Sequence, residues 1–402
     1  MHLFINALAA SAGGGLTYIR NLLPQLAATP GLQVSVALAP GLREELREWA
    51  NISYYSIDAP AGRRFWFEQR GLPGLIRQSG ADVLLSAGNF ALRKSPVPQI
   101  LLSRNSIYTS GDYYKDLLSR QEYRAYLDTR VRAVLAKKSI RWADVTVAPS
   151  QAFAAELTRW TGRSVCAIHH GFDLNAFTRD SSPMSEQVQE KFRNSEGSFR
   201  LLFVSHYNYY RNFETLIRAL PRLRARFNGR VRLLLTCKLA AGENPGSYNP
   251  ESAGRLVKEL GAEDMVIELG AIPYGKLHQL YRRADVYVTP AYTETFAHPL
   301  VEAMACGLPV VASELGVHRE ICEGAAIYFP RFSADELADR ILQVSSSPEL
   351  TKRMAVAGLE RSIRFSWKNH ADALLKLASA LVESKGRGML DVTEFSRHMN
   401  VA

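Results

Sequence analysis

The sequence predicts an α/β protein made of two doubly wound, parallel-sheet domains. Three observations lead there. Short apolar runs alternate with helical stretches along the chain, the pattern of parallel strands covered by helices. The alternation comes as two series, one closing near Asp173 and one opening at Arg200, with a polar stretch from Thr178 to Ser198 between them. The chain has 402 residues, 47% of them apolar, which suits two ordinary globular cores.

The first series opens with Leu3–Leu8, a strand running directly into Gly13-Gly14-Gly15. The opening residues have no basic start, so they are expected to be this strand and not a leader peptide. A helical stretch near Leu16–Ala28 follows, then strands at Val34–Leu38, Ala81–Ser86, Gln99–Leu102 and Val145–Ala148. Arg63-Arg-Phe-Trp-Phe67 is expected to begin a core-packed helix. The stretch from Gln121 to Trp142 places Arg124, Arg130, Arg132, Lys137, Lys138 and Arg141 among Tyr123, Tyr126, Leu127, Val131, Val134 and Leu135. This is an amphipathic helix with either a solvated basic face or a face for an anionic membrane, and both readings stay open here.

The second series begins with strand Arg200–Val204. Asn212 is expected to cap a helix from Phe213, whose apolar face is Phe213, Leu216, Ile217, Leu220, Leu223 and Phe227. Strand Val231–Thr236, helix Ala253–Leu260, strand Val266–Leu269, helix Lys276–Arg283 and strand Val286–Thr289 follow. A long helical pattern starts at Trp367.

The net charge is +10, from 49 basic and 39 acidic side chains. Such a balance serves nucleic acid, anionic membranes or acidic small ligands. No nucleic-acid module is recognisable, so nucleic acid is not expected as a partner. The four cysteines, Cys166, Cys237, Cys306 and Cys322, are scattered, and His169-His170 has no third ligand in view. Neither a metal site nor a redox motif is expected. A reduced, cytoplasmic setting fits this cysteine usage, with peripheral contact at the inner face of a membrane compatible with it.

The chemistry concentrates in Glu294-Thr-Phe-Ala-His-Pro-Leu-Val-Glu302, followed by Ala-Met-Ala-Cys-Gly-Leu-Pro. Pro299 suits the first turn of a helix, and Gly307 with Pro309 suits its end. The free N–H groups of a helix start attract phosphate, and carboxylates accept hydrogen bonds from hydroxyls. A nucleotide sugar has both parts. The stretch resembles the Glu-x7-Glu region of retaining glycosyltransferases of family 4. Glu294, Phe296, Pro299, Glu302, Ala303, Met304, Ala305, Gly307 and Pro309 carry the likeness. Thr295 and Ala297 stand where that family usually has glycine, His298 where it has an apolar residue, and Ala291 where it has serine.

The resemblance implies two Rossmann-like domains with parallel sheets facing a central cleft (the GT-B fold) and a C-terminal helix crossing back to the first domain. The expected division is residues 1–177, a connection at 178–198, the donor domain at 199–370, and the returning helix at 371–402. It implies that Glu294 holds hydroxyls of the transferred sugar and Glu302 the ribose. Thr295, Phe296, Ala297 and His298 would line the donor. Ser205-His-Tyr-Asn-Tyr-Tyr-Arg-Asn212 matches the family's basic diphosphate loop, with His206 in place of arginine, Arg211 in place of lysine, and Asn212 beside it. Gly14 and Gly15 correspond to a loop that reaches the diphosphate. His169-His-Gly-Phe-Asp173 resembles the family's segment before the linker, where glycine permits a tight turn.

Asn89, Arg104 and Asn105 end two first-domain strands and are candidate acceptor-side contacts. The expected activity is metal-independent, cofactor-free retaining transfer, with Glu294 and Arg211 as catalytic residues. The donor would be a GDP- or UDP-linked sugar and the acceptor a saccharide or lipid-linked hydroxyl, in cell-surface polysaccharide or glycolipid synthesis. A nucleotide-sugar epimerase of the same fold and a noncatalytic sugar-nucleotide scaffold remain alternatives.

Overall fold

The structure is a computed structural model that describes residues 1–10, 13–244 and 248–384. Each of its two compact units is built on one fully parallel sheet.

The first unit comprises residues 1–109, 121–171 and 366–384, and the rest of the expected returning helix, 385–402, lies outside the described residues. Its strands are β1 (His2–Asn6), β2 (Gln33–Leu38), β3 (Ile52–Ser56), β4 (Val83–Ser86), β5 (Gln99–Leu102), β6 (Val145–Ala148) and β7 (Cys166–Ala167), in the spatial order β3-β2-β1-β4-β5-β6-β7. β1, β4, β5 and β6 are buried almost throughout, which is why they read as continuous apolar runs.

The helix Trp367–Ser384 belongs to this unit, as the returning-helix expectation required. It places Trp367, Ala371, Leu374, Leu377 and Leu381 in the same core as Leu3, Ile5, Ile19, Leu22 and Val34. Gly171 lies against its start: a Cβ there would sit 2.1 Å from the Trp367 backbone nitrogen. The glycine is therefore required by close backbone approach and not, as the sequence suggested, by a tight turn. His370 Nδ1 donates to the His169 carbonyl at 2.7 Å, so its Nε2 accepts from the Tyr18 hydroxyl at 3.0 Å.

The second unit comprises residues 110–120 and 172–365. Its strands β8 (Phe199–Phe203), β9 (Val231–Leu235), β10 (Val266–Glu268), β11 (Val286–Thr289), β12 (Val310–Ser313) and β13 (Ala326–Phe329) take the order β10-β9-β8-β11-β12-β13. The polar stretch 178–198 lies wholly in this unit. It carries a helix, Glu186–Arg193, whose Val188 and Phe192 are buried. The helix Gly111–Ser119 also belongs here, although it lies far from the second series in sequence.

Two smaller expectations change. Trp66 is 58% exposed on the helix Ala61–Arg70, so that helix packs through its other residues, Glu68 among them. Asn212 precedes the helix Phe213–Arg226 but makes no side-chain cap. It is left-handed, with φ 55°, and its side chain is drawn to tertiary partners instead.

Candidate donor site

Ligands in open parallel sheets bind beyond the C-terminal strand ends where the strand order reverses. In the second sheet that point lies between β8 and β11. The loop after β8 carries Arg211 and the loop after β11 carries Glu294. Arg211 Nη1 donates to Glu294 Oε2 at 2.5 Å, and the Thr295 N–H donates to Oε1 at 3.0 Å. The pair is largely enclosed, with the side chains 20% and 12% exposed. Burial pushes the Glu294 carboxyl up, but Arg211 and the Thr295 N–H outweigh it, so it sits below the usual range. Arg211 stacks over the Tyr210 ring at 5.3 Å. Its Nε is buried without a hydrogen-bond partner among the described residues.

The Arg211 loop is tied to its surroundings by its neighbours. The Asn212 amide donates to the Pro290 carbonyl at 3.0 Å and the Arg331 carbonyl at 2.7 Å, and its oxygen accepts from the Thr215 hydroxyl at 2.9 Å. Both amide protons are thus engaged within the protein. The Tyr292 N–H donates to the Tyr210 carbonyl at 3.0 Å, which joins the two loops directly. His206 is exposed at the start of the first loop.

Glu302 lies inside the helix His298–Ala305 and is 3% exposed. Burial pushes its carboxyl up to about 7, against the opposing hydrogen bond from the Tyr281 hydroxyl at 2.8 Å. The helix ends as expected: Gly307 is left-handed (φ 68°), Gly307 N–H donates to the Met304 carbonyl, and Leu308 N–H to that of Ala303. Phe296 is buried, 5.4 Å from the Phe365 ring and 4.8 Å from that of His298. The exposed loop of Ala271 and Pro273 follows the edge strand β10.

Ala297 is left-handed, with φ 63° and ψ 64°. An L-residue with a Cβ costs about 1–2 kcal/mol there, and glycine removes that cost while giving up about 0.4–1 kcal/mol through its freer unfolded chain. Ala297→Gly is therefore expected to raise the melting temperature of the second unit by about 1–3 °C in calorimetry. An unchanged or lower transition would remove the strain argument.

His318 was not singled out from the sequence. It is fully buried, and its Nδ1 donates to the Ser313 carbonyl at 2.9 Å. Burial pulls it down to about 4 despite that bond and the nearby Glu294, so it is neutral beside the ion pair. Tyr281 was missed as well. In sequence it is one more apolar position of a short helix.

The first unit presents its own strand ends. Arg104, after β5, donates through Nη1 to the Gly14 carbonyl at 2.9 Å and through Nη2 to the Ala87 carbonyl at 2.8 Å, and lies 4.9 Å over the Tyr18 ring. Burial pulls it down to about 10, with Tyr18 acting the other way. Asn89 is left-handed, and its Oδ1 accepts the Arg104 backbone N–H at 2.6 Å. Asn105 accepts from the Ile107 N–H at 3.3 Å. Arg104 and Asn89 thus brace the Gly13–Ala27 helix start, with Gly14 exposed at its tip. A Cβ on Gly15 would lie 3.2 Å from Ala10 Cα and 3.6 Å from Arg104 Nη2.

Comparison with known proteins identifies the family and the fold. The glycosyl transferases group 1 model matches residues 184–361, and the glycosyltransferase family 4 model matches residues 12–176. The chain belongs to the group 1, family 4 type of GT-B glycosyltransferases. It is 29% identical to the D-inositol 3-phosphate glycosyltransferase of Thermobifida fusca over 58% of this chain and 54% of that protein. It is 27% identical to that of Kribbella flavida over 58% and 55%. The chain thus spans little more than half the length of these curated relatives. Among solved structures, sucrose-phosphate synthase from Thermosynechococcus elongatus has the same fold, with a TM-score of 0.74 and 21% identity over 96% of this chain and 100% of that one. HepE of Anabaena, in complex with UDP-glucose, gives 0.69 and 19% over 94% and 100%.

Proposed function

We propose that this protein is a retaining glycosyltransferase that moves a sugar from a nucleotide diphosphate to a hydroxyl acceptor. The Arg211–Glu294 pair carries this reading, because it sets an enclosed cation and a held carboxylate at the switch point of the second sheet. Arg211 and the backbone N–H groups near Phe296 and Ala297 take up charge on the departing diphosphate. Glu294 accepts from hydroxyls of the transferred sugar and Glu302 from the ribose. The acceptor oxygen bonds to the anomeric carbon on the side the diphosphate leaves. The carbon–oxygen bond breaks with its electrons going to the diphosphate, whose oxygen takes the acceptor's proton. Fixed charges in a dry site supply most of the rate in such a step. No protein nucleophile and no metal is assigned.

The donor is a uridine or guanosine diphosphate sugar. HepE was crystallised with UDP-glucose, which puts uridine first in the test. The acceptor is a saccharide, polyol or lipid-linked hydroxyl of cell-surface polysaccharide or glycolipid synthesis. Titration with UDP, GDP and ADP, followed by transfer assays with the sugar conjugates, tests the reading. Binding of one nucleotide with turnover supports it. Binding without transfer to any acceptor favours a scaffold, and no binding overturns it.

A membrane-bound acceptor is supported by the helix Tyr123–Trp142. Tyr123, Leu127, Val131 and Val134 are 58–70% exposed. At 100° per residue they span roughly 80° of the helix. Arg124, Arg130, Lys138 and Arg141 lie within or beside that arc, while Thr129, Ala133, Ala136, Ser139 and Ile140 face the protein. The outward face is thus apolar as well as basic, the combination that suits anionic lipid. Among the described residues no helix is long and apolar enough to cross a membrane. The protein is expected to sediment with phosphatidylglycerol vesicles but not with phosphatidylcholine vesicles, and Leu127→Asp with Val131→Asp should abolish this. Equal recovery in the supernatant with both lipids would exclude the contact.

A further inference from the structure

The helix Gly111–Ser119 is encoded among first-unit elements yet belongs to the second unit. Its side chains reach three residues that flank the Arg211–Glu294 pair. Asp112 Oδ2 accepts from Arg331 Nη2 at 2.6 Å and Nε at 3.0 Å, and the Arg331 carbonyl accepts from Asn212, next to Arg211. Asp116 Oδ2 accepts from the Tyr292 hydroxyl at 2.8 Å, and Tyr292 lies two residues before Glu294. The Tyr113 ring packs 6.3 Å from that of Tyr210, the ring beneath Arg211, and its hydroxyl meets that of Tyr248 at 2.9 Å. The other oxygen of Asp116 accepts from Arg120 at 2.7 Å, and Arg120 reaches Glu214 at 2.8 Å in the first turn of the helix that follows Asn212.

Asp112 and Asp116 are one helical turn apart on a single face, so one rigid element grips both site loops. We infer that Asp112 and Asp116 are positioning residues for the donor site, acting through Arg331 and Tyr292. Neither would touch the donor. Their effect is on the geometry of Arg211 and Glu294, where a displacement of about 1 Å costs up to about 10²-fold in rate. The inference rests on the donor-site reading above.

The test uses Tyr292→Phe, Asp116→Asn, the double variant of these two, Asp112→Asn and Asp112→Glu. Turnover, donor KM and melting temperature are measured for each, with Arg211→Ala alongside. Tyr292→Phe keeps the ring and loses one hydroxyl, so it carries the test even if an aspartate variant fails to fold. The expected result is a fall in kcat of about tenfold for Tyr292→Phe, Asp116→Asn and Asp112→Asn, with a small change in melting temperature and in KM. Asp112→Glu should recover most of the loss. The double variant should be no worse than Asp116→Asn alone, because Tyr292→Phe removes a bond that Asp116→Asn already breaks. A role in stability alone would lower the melting temperature and leave kcat of the folded enzyme unchanged, which overturns the inference. If Arg211→Ala abolishes turnover while the Tyr292 and Asp112 variants are neutral, the inference fails and the donor site stands. If Arg211→Ala is itself neutral, both fail.

Discussion

Arg211→Ala is expected to reduce turnover by about 10²–10³-fold, the usual loss when one preorganised donor to developing charge is removed. The structure adds a second consequence. Glu294 is held below the usual carboxylate range mainly by Arg211 acting against burial. Without Arg211 that carboxylate is buried and uncompensated, and breaking such a pair costs about 3–5 kcal/mol. The lower end applies, because both side chains retain some contact with solvent. Glu294→Gln should behave in the same way, by leaving the Arg211 charge unpaired. Rate and stability are separated by the double variant Arg211→Met with Glu294→Gln. Removing both charges removes the burial penalty, so the melting temperature should return towards that of the parent protein. Turnover should not return, because the diphosphate still lacks its cation. Single variants that lose rate only in proportion to folded protein, or a double variant that regains rate with stability, would make the pair a structural brace and end its catalytic assignment.

The strands most sharply legible in the sequence were those buried on both faces. Gln99–Leu102, Val145–Ala148 and Val286–Thr289 were placed with their observed limits, since a run of apolar residues bounded by polar ones leaves little choice. The edge strand Ile52–Ser56 went unplaced because its polar and half-exposed residues resemble a loop. Two-residue Cys166–Ala167 offers no periodicity at all. In the candidate site, Glu294, Arg211 and Glu302 could be singled out because the motifs that carry the resemblance are local. What surrounds them is not local. Asn212 reads as a helix cap, but Pro290 and Arg331 hold its amide. Arg104 reads as a ligand contact at a strand end, but its guanidinium engages the carbonyls of Gly14 and Ala87. Asp112 and Asp116 give no signal in the sequence, because Arg331 and Tyr292 lie far along the chain. A pattern within a window of ten residues carries no information about such partners.

Glu302 provides the other large effect, through its proton. Its carboxyl is pushed from the ordinary 4.5 to about 7, so at pH 6 the native protein holds a proton that the unfolded chain has lost. The shift corresponds to roughly 3 kcal/mol. Because the folded value is raised, this stabilisation is fully present below about pH 4.5 and is lost as pH rises through about 7. His318 acts in the opposite sense: with its folded value pulled from 6.5 to about 4, stability rises with pH across that window. The two slopes nearly cancel in the parent protein, so Glu302→Gln should expose the His318 slope, with stability climbing between about pH 4 and 6.5. Nucleotide binding draws on the same proton. Ribose hydroxyls donate more strongly to a carboxylate than to a carboxylic acid, so binding should expel the proton. Affinity for the preferred nucleotide should then rise by up to about tenfold per pH unit below 7 and level off above it. Titration calorimetry in buffers of different ionisation enthalpy counts the released protons directly. The nucleotide's own phosphate titrates in this range too, so the quantity that decides is the difference between the parent protein and Glu302→Gln. Glu302→Gln should bind more weakly and lose the protein's share of the released protons. Identical proton counts in the two would place the ribose elsewhere and leave Glu302 as a buried acid held by Tyr281 for the sake of the fold.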